Sequence, residues 1–391
     1  MQLNGFQFAA MTAGFKKNGA PDLALVVSEV PATATGVFTT NQFQAAPVLA
    51  CKMRLANSTS TRAVLINAGQ ANACTGEQGM ADCEQAAALV AQAADLQPNE
   101  ILPASTGVIG ARMDMDKWAT AAPLLAEDLG QSGPVEFARA IMTTDAYPKI
   151  SWAEAETDDG AATVLGICKG AGMICPNMAT MLAVVLTDAE VDPEVWQGII
   201  SAAAEVTFNR VSVDGDTSTN DSLFGLANGA SGVSFVGDDV QALAGAVAAV
   251  CEDLARMIVA DAEGGTKVLR IFVDGAQDEA QAEMAARAVG NSPLVKTAFY
   301  GQDANWGRIV AALGRSGAEF DPDDVVVAVA GVVLFADNEP TPGDLDGFLH
   351  YHLRKQEIDV EITLGDGPGE YTLLASDLTH DYITENADYR S

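Results

Sequence analysis

The chain predicts a layered α/β protein of mixed α+β type. Short β-branched runs of strand length alternate irregularly with alanine-rich stretches whose apolar residues recur at helical spacing. Of its 391 residues, 49% are hydrophobic and only 19% charged, which suits a compact chain with a large core and not a disordered one. No period of roughly 20–50 residues repeats, so a solenoid is excluded. The length suggests two or three domains or one large layered unit, and no low-complexity segment or long linker marks a border.

Taken in order, residues 63–67 read as a short buried strand that enters a glycine-rich loop at Gly69. Residues 79–96 form an alanine-rich helix, and a strand ending near Leu102 leads into a second glycine-rich stretch. Residues 134–142 read as a helix whose first turn suits Pro134. Strands over 163–168 and 181–187 flank a Gly/Pro turn, and helices follow over 193–208 and 240–259. Residues 267–273 are a strand, 281–289 and 305–313 helices. Residues 325–335, 357–364 and 371–375 read as strands, the last two by their period-2 alternation.

With 53 acidic and 21 basic residues, the net charge is −32. Such a field repels phosphate backbones and anionic lipid, which argues against nucleic-acid and membrane-surface partners. The opening residues lack a basic segment followed by an apolar one, so no secretory signal is visible. The apolar segment 240–250 is too short to span a bilayer, and a cytoplasmic protein is expected. Cys51, Cys74, Cys83, Cys168, Cys175 and Cys251 form no Cys-x-x-Cys pair and read as free, buried thiols. No metal site is expected. His350 and His352 would share one face of an extended strand, but no third zinc ligand is in sight. Asp214, Asp216 and Asp221 lack the downstream glutamate of a calcium loop.

The most informative stretch is Lys169-Gly-Ala-Gly-Met-Ile-Cys-Pro-Asn-Met-Ala179-Thr180-Met-Leu, a Gly/Pro turn joined directly to an apolar strand. Turn punctuation is the ordinary explanation of such glycines and prolines. The lysine precedes the glycines, so this is not a phosphate-binding P-loop. A cut between Ala179 and Thr180 would leave a threonine with its nucleophile, Oγ, and a base, its own α-amine, on one residue. That α-amine has an ordinary pKa of about 7.7–8.0 and can accept a proton near neutrality. A tight turn at Gly170, Gly172 and Pro176 would help by distorting the peptide to be cut.

This block resembles the self-cleavage site of the ornithine acetyltransferases, also called glutamate N-acetyltransferases. Further matches run along the chain: Gly36-Val-Phe-Thr-Thr-Asn41, Asn67-Ala-Gly-Gln-Ala-Asn-Ala-Cys-Thr-Gly76, Ser105-Thr-Gly-Val-Ile-Gly110, Met142-Thr-Thr-Asp145, Asp214-Gly-Asp-Thr-Ser-Thr-Asn-Asp221, Glu263-Gly-Gly-Thr-Lys267, Gly301-Gln-Asp-Ala-Asn-Trp-Gly-Arg308 and Asn386-Ala-Asp-Tyr-Arg-Ser391. The resemblance implies a sheet sandwich between helices, of the autoprocessed N-terminal-threonine type. It implies an α chain of residues 1–179 and a β chain of 180–391, assembled as α2β2.

The resemblance also implies an activity and its residues. Acetyl would pass from N2-acetyl-L-ornithine to L-glutamate through Thr180, with Thr106 and Gly107 as oxyanion donors. No cofactor is implied, and some members also use acetyl-CoA as co-substrate to make N-acetylglutamate. Thr143, Lys169, Thr180, Glu263, Asn386 and Ser391 would bind substrate: Lys169 suits a carboxylate, and Glu263 an ammonium. Thr144 is a near alternative to Thr143. Each has an ordinary reading too: a solvated lysine, a helix cap at Glu263, a frayed terminus. Trp306 reads as a core anchor. An amidohydrolase or aminopeptidase using the same threonine, a Ser–His–Asp enzyme, and a non-catalytic amino-acid binder remain as rivals.

Overall fold

The computed structural model describes residues 3–175, 181–343 and 345–388, without the side chains of 346 and 348. Their elements are β1 (Phe6–Met11), β2 (Leu23–Phe38), α1 (Ala46–Asn57), β3 (Ser60–Gln70), α2 (Gly76–Ala93), β4 (Ile101–Val108), α3 (Met115–Glu127), α4 (Pro134–Ile141), β5 (Lys149–Thr157), β6 (Gly160–Lys169) and β7 (Leu182–Thr187). There follow α5 (Pro193–Val206), β8 (Val211–Ser212), β9 (Ser222–Ala227), α6 (Val240–Ala260), β10 (Val268–Gly275), α7 (Glu279–Gly290), α8 (Pro293–Tyr300) and α9 (Trp306–Leu313). The last are β11 (Val326–Val329), β12 (Val332–Ala336), β13 (Glu339–Pro340), α10 (Asp346–His352), β14 (Glu357–Thr363), β15 (Gly367–Ser376) and α11 (His380–Asp388). They make an α/β protein with two mixed sheets in two compact units. Among the described residues, one unit takes the chain up to Asn209 with Asp216–Ile258; the other takes Arg210–Gly215 and residues from Val259 onward.

In the first unit, the strands run β4-β3-β2-β9-β7-β6-β5, with β1 on β2. Strand β2 is long, and its pairing with β3 shifts between Val27 and Ala32. A bulge of this kind bends a strand. Residues on either side of it share one core: Ala24, Val26, Val64, Ile66, Leu102 and Ala104 from β2, β3 and β4 lie with Leu165, Ile167, Leu182, Val184, Leu186 and Phe224 from β6, β7 and β9. The sheet therefore folds back on itself at β2, and its two arms face each other across that core. The opposite face of the β2–β3–β4 arm buries Leu25, Leu65 and Ile101 against Val90 of α2 and Trp118 and Leu125 of α3. On the other arm, Gly166 lies under Val250 and Leu254 of α6, and Gly225 under Ile200 of α5. Strands covered on both faces become continuous apolar runs, and all six residues of β7 and of β9 are buried.

Local signals set several boundaries. Helix α5 starts where Asp192 accepts from the N–H groups of Glu194 and Val195, with Pro193 at its first position. Helix α4 starts at Pro134, and Glu136 reaches back to the N–H of Gly133 at 3.0 Å.

The second unit holds a sheet ordered β13-β12-β11-β14-β10-β15-β8. Leu269 and Ile271 of β10, Ile358 and Val360 of β14 and Leu373 of β15 pack with Ala282, Ala286 and Val289 of α7 and with Ile309 and Leu313 of α9. The alternation expected for 357–364 is the eBeBeBi burial of β14. Trp306 is an anchor here, stacked on Phe335 with centroids 5.2 Å apart.

Three expectations change. Residues 325–335 are two strands joined at Ala330 and Gly331, whose φ of +51° and +78° make a tight reversal. Residues 350 and 352 lie on helix α10, where side chains two apart do not share a face. Cys51, Cys83, Cys168 and Cys251 are buried, but Cys74 is exposed and Cys175 half-buried. Among the described residues no group of three or more His, Cys, Asp or Glu could hold a metal, and no helix is long and apolar enough to cross a membrane.

Candidate active site

Thr106 and Gly107 do not lie in a turn beyond Leu102. Strand β4 continues through them to Val108, in parallel register with β3: Thr106 faces Ala68, and Gly107 faces Gly69. Pro103, which reads as a strand breaker, is tolerated because β4 is the edge of the sheet. Gly107 has φ +124°, and a Cβ there would sit 2.4 Å from the carbonyl carbon of Gly69. A Cβ on Gly69, φ +115°, would sit 2.9 Å from the carbonyl oxygen of Phe15. Three backbones are stacked at a separation that only glycine allows.

The fold-back at β2 brings the end of β6 to this place. Lys169, the last residue of β6, donates from Nζ to Thr143 Oγ1 at 2.6 Å and to Thr106 Oγ1 at 3.3 Å. Each hydroxyl that accepts from this ammonium keeps its own proton to donate elsewhere. Asp145 holds the cluster from beneath. It accepts Lys149 Nζ at 2.7 Å, the N–H of Gly170 at 2.7 Å and the N–H of Thr143 at 3.0 Å, with Lys169 Nζ at 4.0 Å. The Lys149 and Asp145 side chains are fully buried. Burial alone would raise the Asp145 pKa, but Lys169, Lys149 and these hydrogen bonds prevail and hold it at about 2.

Lys16 also comes here, unforeseen. Asp22, fully buried, accepts the N–H groups of Ala13 at 2.6 Å and Lys16 at 2.8 Å and so folds the loop between β1 and β2. Lys16 Nζ donates to Ala140 O at 3.2 Å, near the end of α4. Burial lowers its pKa to about 8 against the pull of Asp22, and Lys169 pushes the same way as burial while Asp145 opposes it. Nothing in Phe15-Lys16-Lys17 separates this lysine from a solvated one. The i,i+4 spacing of Lys149 from Asp145 is no signal either, because residues 142–148 lie outside any helix.

After Lys169, the chain turns with a left-handed residue at Met173, φ +56°, and not at Gly170 or Gly172. Ile174 then bridges to Thr217. The Ala179–Thr180 bond and Pro176 lie outside the described residues, as does Ser391.

In the second unit, Glu263 and Asn386 meet: Asn386 Nδ2 donates to Glu263 Oε2 at 2.8 Å. Helix α11 is docked, not frayed, up to Asp388. Thr379 Oγ1 donates to Gly264 O at 2.7 Å, and a Cβ on Gly264 would sit 2.4 Å from the Tyr382 nitrogen. Burial, then the charges of Glu263 and Asp381, push the Glu385 carboxyl up.

The sequence profile of the ArgJ family matches residues 7–391. The chain belongs to the ArgJ family. It is 58% identical over 387 residues to the arginine biosynthesis bifunctional protein ArgJ of Nitratidesulfovibrio vulgaris, covering 99% of this chain and 98% of that one. It is 45% identical over 396 residues to the protein of the same description from Synechocystis, covering 98% and 96%. A solved chain of the arginine biosynthesis bifunctional protein ArgJ from Bacillus halodurans matches with a TM-score of 0.50 and 38% identity, covering 52% of this chain and 96% of its own length. The resemblance read from the motifs is thus membership in the ArgJ family, end to end. Within that family frame, the structure gathers Thr106, Gly107, Thr143 and Lys169 in one unit and Glu263 with Asn386 in the other.

Proposed function

We propose that this chain is an ornithine acetyltransferase of arginine biosynthesis that moves acetyl from N2-acetyl-L-ornithine to L-glutamate, and that it also makes N-acetylglutamate from acetyl-CoA, as the bifunctional description of its relatives indicates. The observation that carries this reading is the meeting of Lys169 with Thr143 and Thr106 beside Gly107. An ammonium is available for a substrate carboxylate, and a hydroxyl proton is available for a carbonyl oxygen that turns into an oxyanion.

Maturation comes first. Thr180 Oγ attacks the Ala179 carbonyl, the peptide becomes an ester, and water releases residues 1–179 from 180–391. The solved Bacillus halodurans chain supports this, since nearly all of its length spans only 52% of the present chain. In turnover, Thr180 Oγ attacks the acetyl carbonyl of acetylornithine while the Thr180 α-amine takes its proton. Thr106 Oγ1 and the Gly107 N–H hold the oxyanion. The C–N bond then breaks, the proton goes to the leaving nitrogen, and ornithine departs. The amine of glutamate attacks the acetyl ester, loses a proton to the same α-amine, and N-acetylglutamate leaves with Thr180 restored. Thr143, Lys169, Thr180, Glu263, Asn386 and Ser391 are the substrate-binding residues, with Lys169 suited to a carboxylate and Glu263 to an ammonium. The mature enzyme is a cytoplasmic α2β2 assembly.

Intact-mass analysis tests the reading. Two fragments, ending at Ala179 and starting at Thr180, are expected, and Thr180→Ala should stay whole and inactive. Acetylornithine alone should add one acetyl group to the 180–391 fragment, and initial rates should follow ping-pong kinetics. Acetylornithine consumed equally fast without glutamate would make the protein a hydrolase. A cut Thr180→Ala chain would make the processing the work of another protease.

A further inference from the structure

The motif Asp214-Gly-Asp-Thr-Ser-Thr-Asn-Asp221 and the Ser222 that follows it reach the chain on both sides of positions 176–180. Thr217 Oγ1 donates to Cys175 O at 2.8 Å, and Ser222 N donates to Met181 O at 2.9 Å. Between them, Asn220 is 6% exposed and points its carboxamide at the opposite arm of the sheet. Its Nδ2 donates to Ser105 O at 2.8 Å and to Ala71 O at 2.6 Å, and its Oδ1 accepts from Thr219 Oγ1 at 2.6 Å. Both amide protons and the amide oxygen are in use.

We propose that Asn220 is a positioning residue for acetyl transfer: by gripping the Ser105 carbonyl it holds Thr106 and Gly107 in fixed register with Met181, the sequence neighbour of the nucleophile. This rests on the roles given above to Thr180, Thr106 and Gly107. The Ser105 carbonyl and the Thr106 N–H share one rigid peptide plane, so a bond to that oxygen orients the entry to Thr106. At the other end of the same tripeptide, Ser222 is bonded to Met181, one residue after Thr180. Residues 220–222 thus span from the oxyanion strand to the nucleophile strand without passing through 176–179. A cut at 179–180 leaves that ruler intact.

Kinetics of fully processed wild type, Asn220→Ala, Thr106→Ala and the double variant test the idea. Asn220→Ala should lower kcat about 10²-fold, the loss expected when a reacting group is displaced by about 1 Å, with little change in KM for acetylornithine. Both substitutions act in part on the same donor, the Thr106 hydroxyl, so the double variant should lose clearly less than the product of the two single losses. If the two losses multiply, or if Asn220→Ala lowers Tm and keeps its kcat, Asn220 is only a structural clamp and the proposal is wrong. If Thr106→Ala itself keeps its kcat, the oxyanion assignment fails and takes the proposal with it. Asn220→Asp keeps the size and removes the amide donors. It must show the same non-additivity, and it decides the matter if the alanine variant does not fold.

Discussion

Lys169 Nζ donates to Thr143 Oγ1 across 2.6 Å, tying the end of a sheet strand to the turn after a helix. The contact fixes an ammonium that would otherwise sweep a wide volume, and the two residues lie 26 positions apart in sequence. Fixing the charge before substrate arrives removes an ordering cost from binding.

Lys169 and Thr106 should therefore respond differently to truncation. Thr106→Ala removes a donor whose partner becomes strongly charged only in the transition state, so kcat should fall roughly 10²–10³-fold with KM nearly unchanged. Lys169→Ala removes a carboxylate contact felt by substrate and transition state alike, so KM should rise more than kcat falls. Both are to be measured on fully processed protein. A Thr106→Ala enzyme with intact kcat and raised KM would make Thr106 a substrate contact.

Gly107→Ala should abolish transfer while leaving most of the fold in place. The added methyl would lie 2.4 Å from the Gly69 carbonyl carbon, which is backbone and cannot rotate away, at a φ of +124°. Strand β4 must shift off β3, and the oxyanion donors shift with it. Near wild-type kcat in this variant would show that the β3–β4 spacing does not matter to the reaction.

Asp145→Asn should destabilise through Lys149, whose buried ammonium loses its counter-charge. Breaking a buried pair from one side costs about 3–5 kcal/mol, visible as a lower denaturation midpoint. The sign with pH follows from a folded pKa of about 2, below the ordinary 3.8. The stabilisation is fully present above that ordinary value and is lost as pH falls through the folded one. The gap between wild type and Asp145→Asn should hold constant from pH 7 to about 5 and narrow only below about 4. A gap that narrows near neutrality would assign the effect to another group.

Lys16 should make substrate binding sensitive to alkali. Burial lowers its pKa to about 8, and it lies in the field of Asp22, Lys169 and Asp145. It is charged below that value and neutral above it. KM for acetylornithine should rise above about pH 8 in wild type, and the inflection should vanish in Lys16→Met. Folding favours the neutral amine, so the wild type should also gain stability relative to Lys16→Met as pH climbs from about 8 toward 10.5. An inflection that survives in Lys16→Met would exclude Lys16 as its source.

What the sequence made legible was local. The helix expected from residue 193 is α5, which starts at Pro193, and the alternation of β14 marks its buried face. The β11–β12 hairpin was hidden because its turn, Ala330-Gly331, interrupts an apolar run without the usual Asn-Gly. The glycine-rich stretch after Leu102 reads as a turn, yet it is the continuation of β4, and Pro103 is accommodated because β4 is an edge strand. At the site, the motifs named Thr106, Thr143 and Lys169, but no local pattern says that positions 106 and 169 meet. That meeting depends on a bend in β2, in a third place in the chain. Lys149 and Lys16 were missed because a lysine's burial is decided by what folds over it.

The strand order β4-β3-β2-β9-β7-β6-β5 has a consequence for a chain cut before residue 180. Ownership of the sheet then alternates: three strands from the first fragment, two from the second, two more from the first. Each fragment's strands are hydrogen-bonded on both sides of the boundary, at β2–β9 and at β6–β7. The second unit's sheet belongs wholly to the second fragment, but neither piece holds the first unit's sheet alone, so the two cannot part without breaking that sheet. Scission would free a terminus and leave the first unit one fold with two chain names.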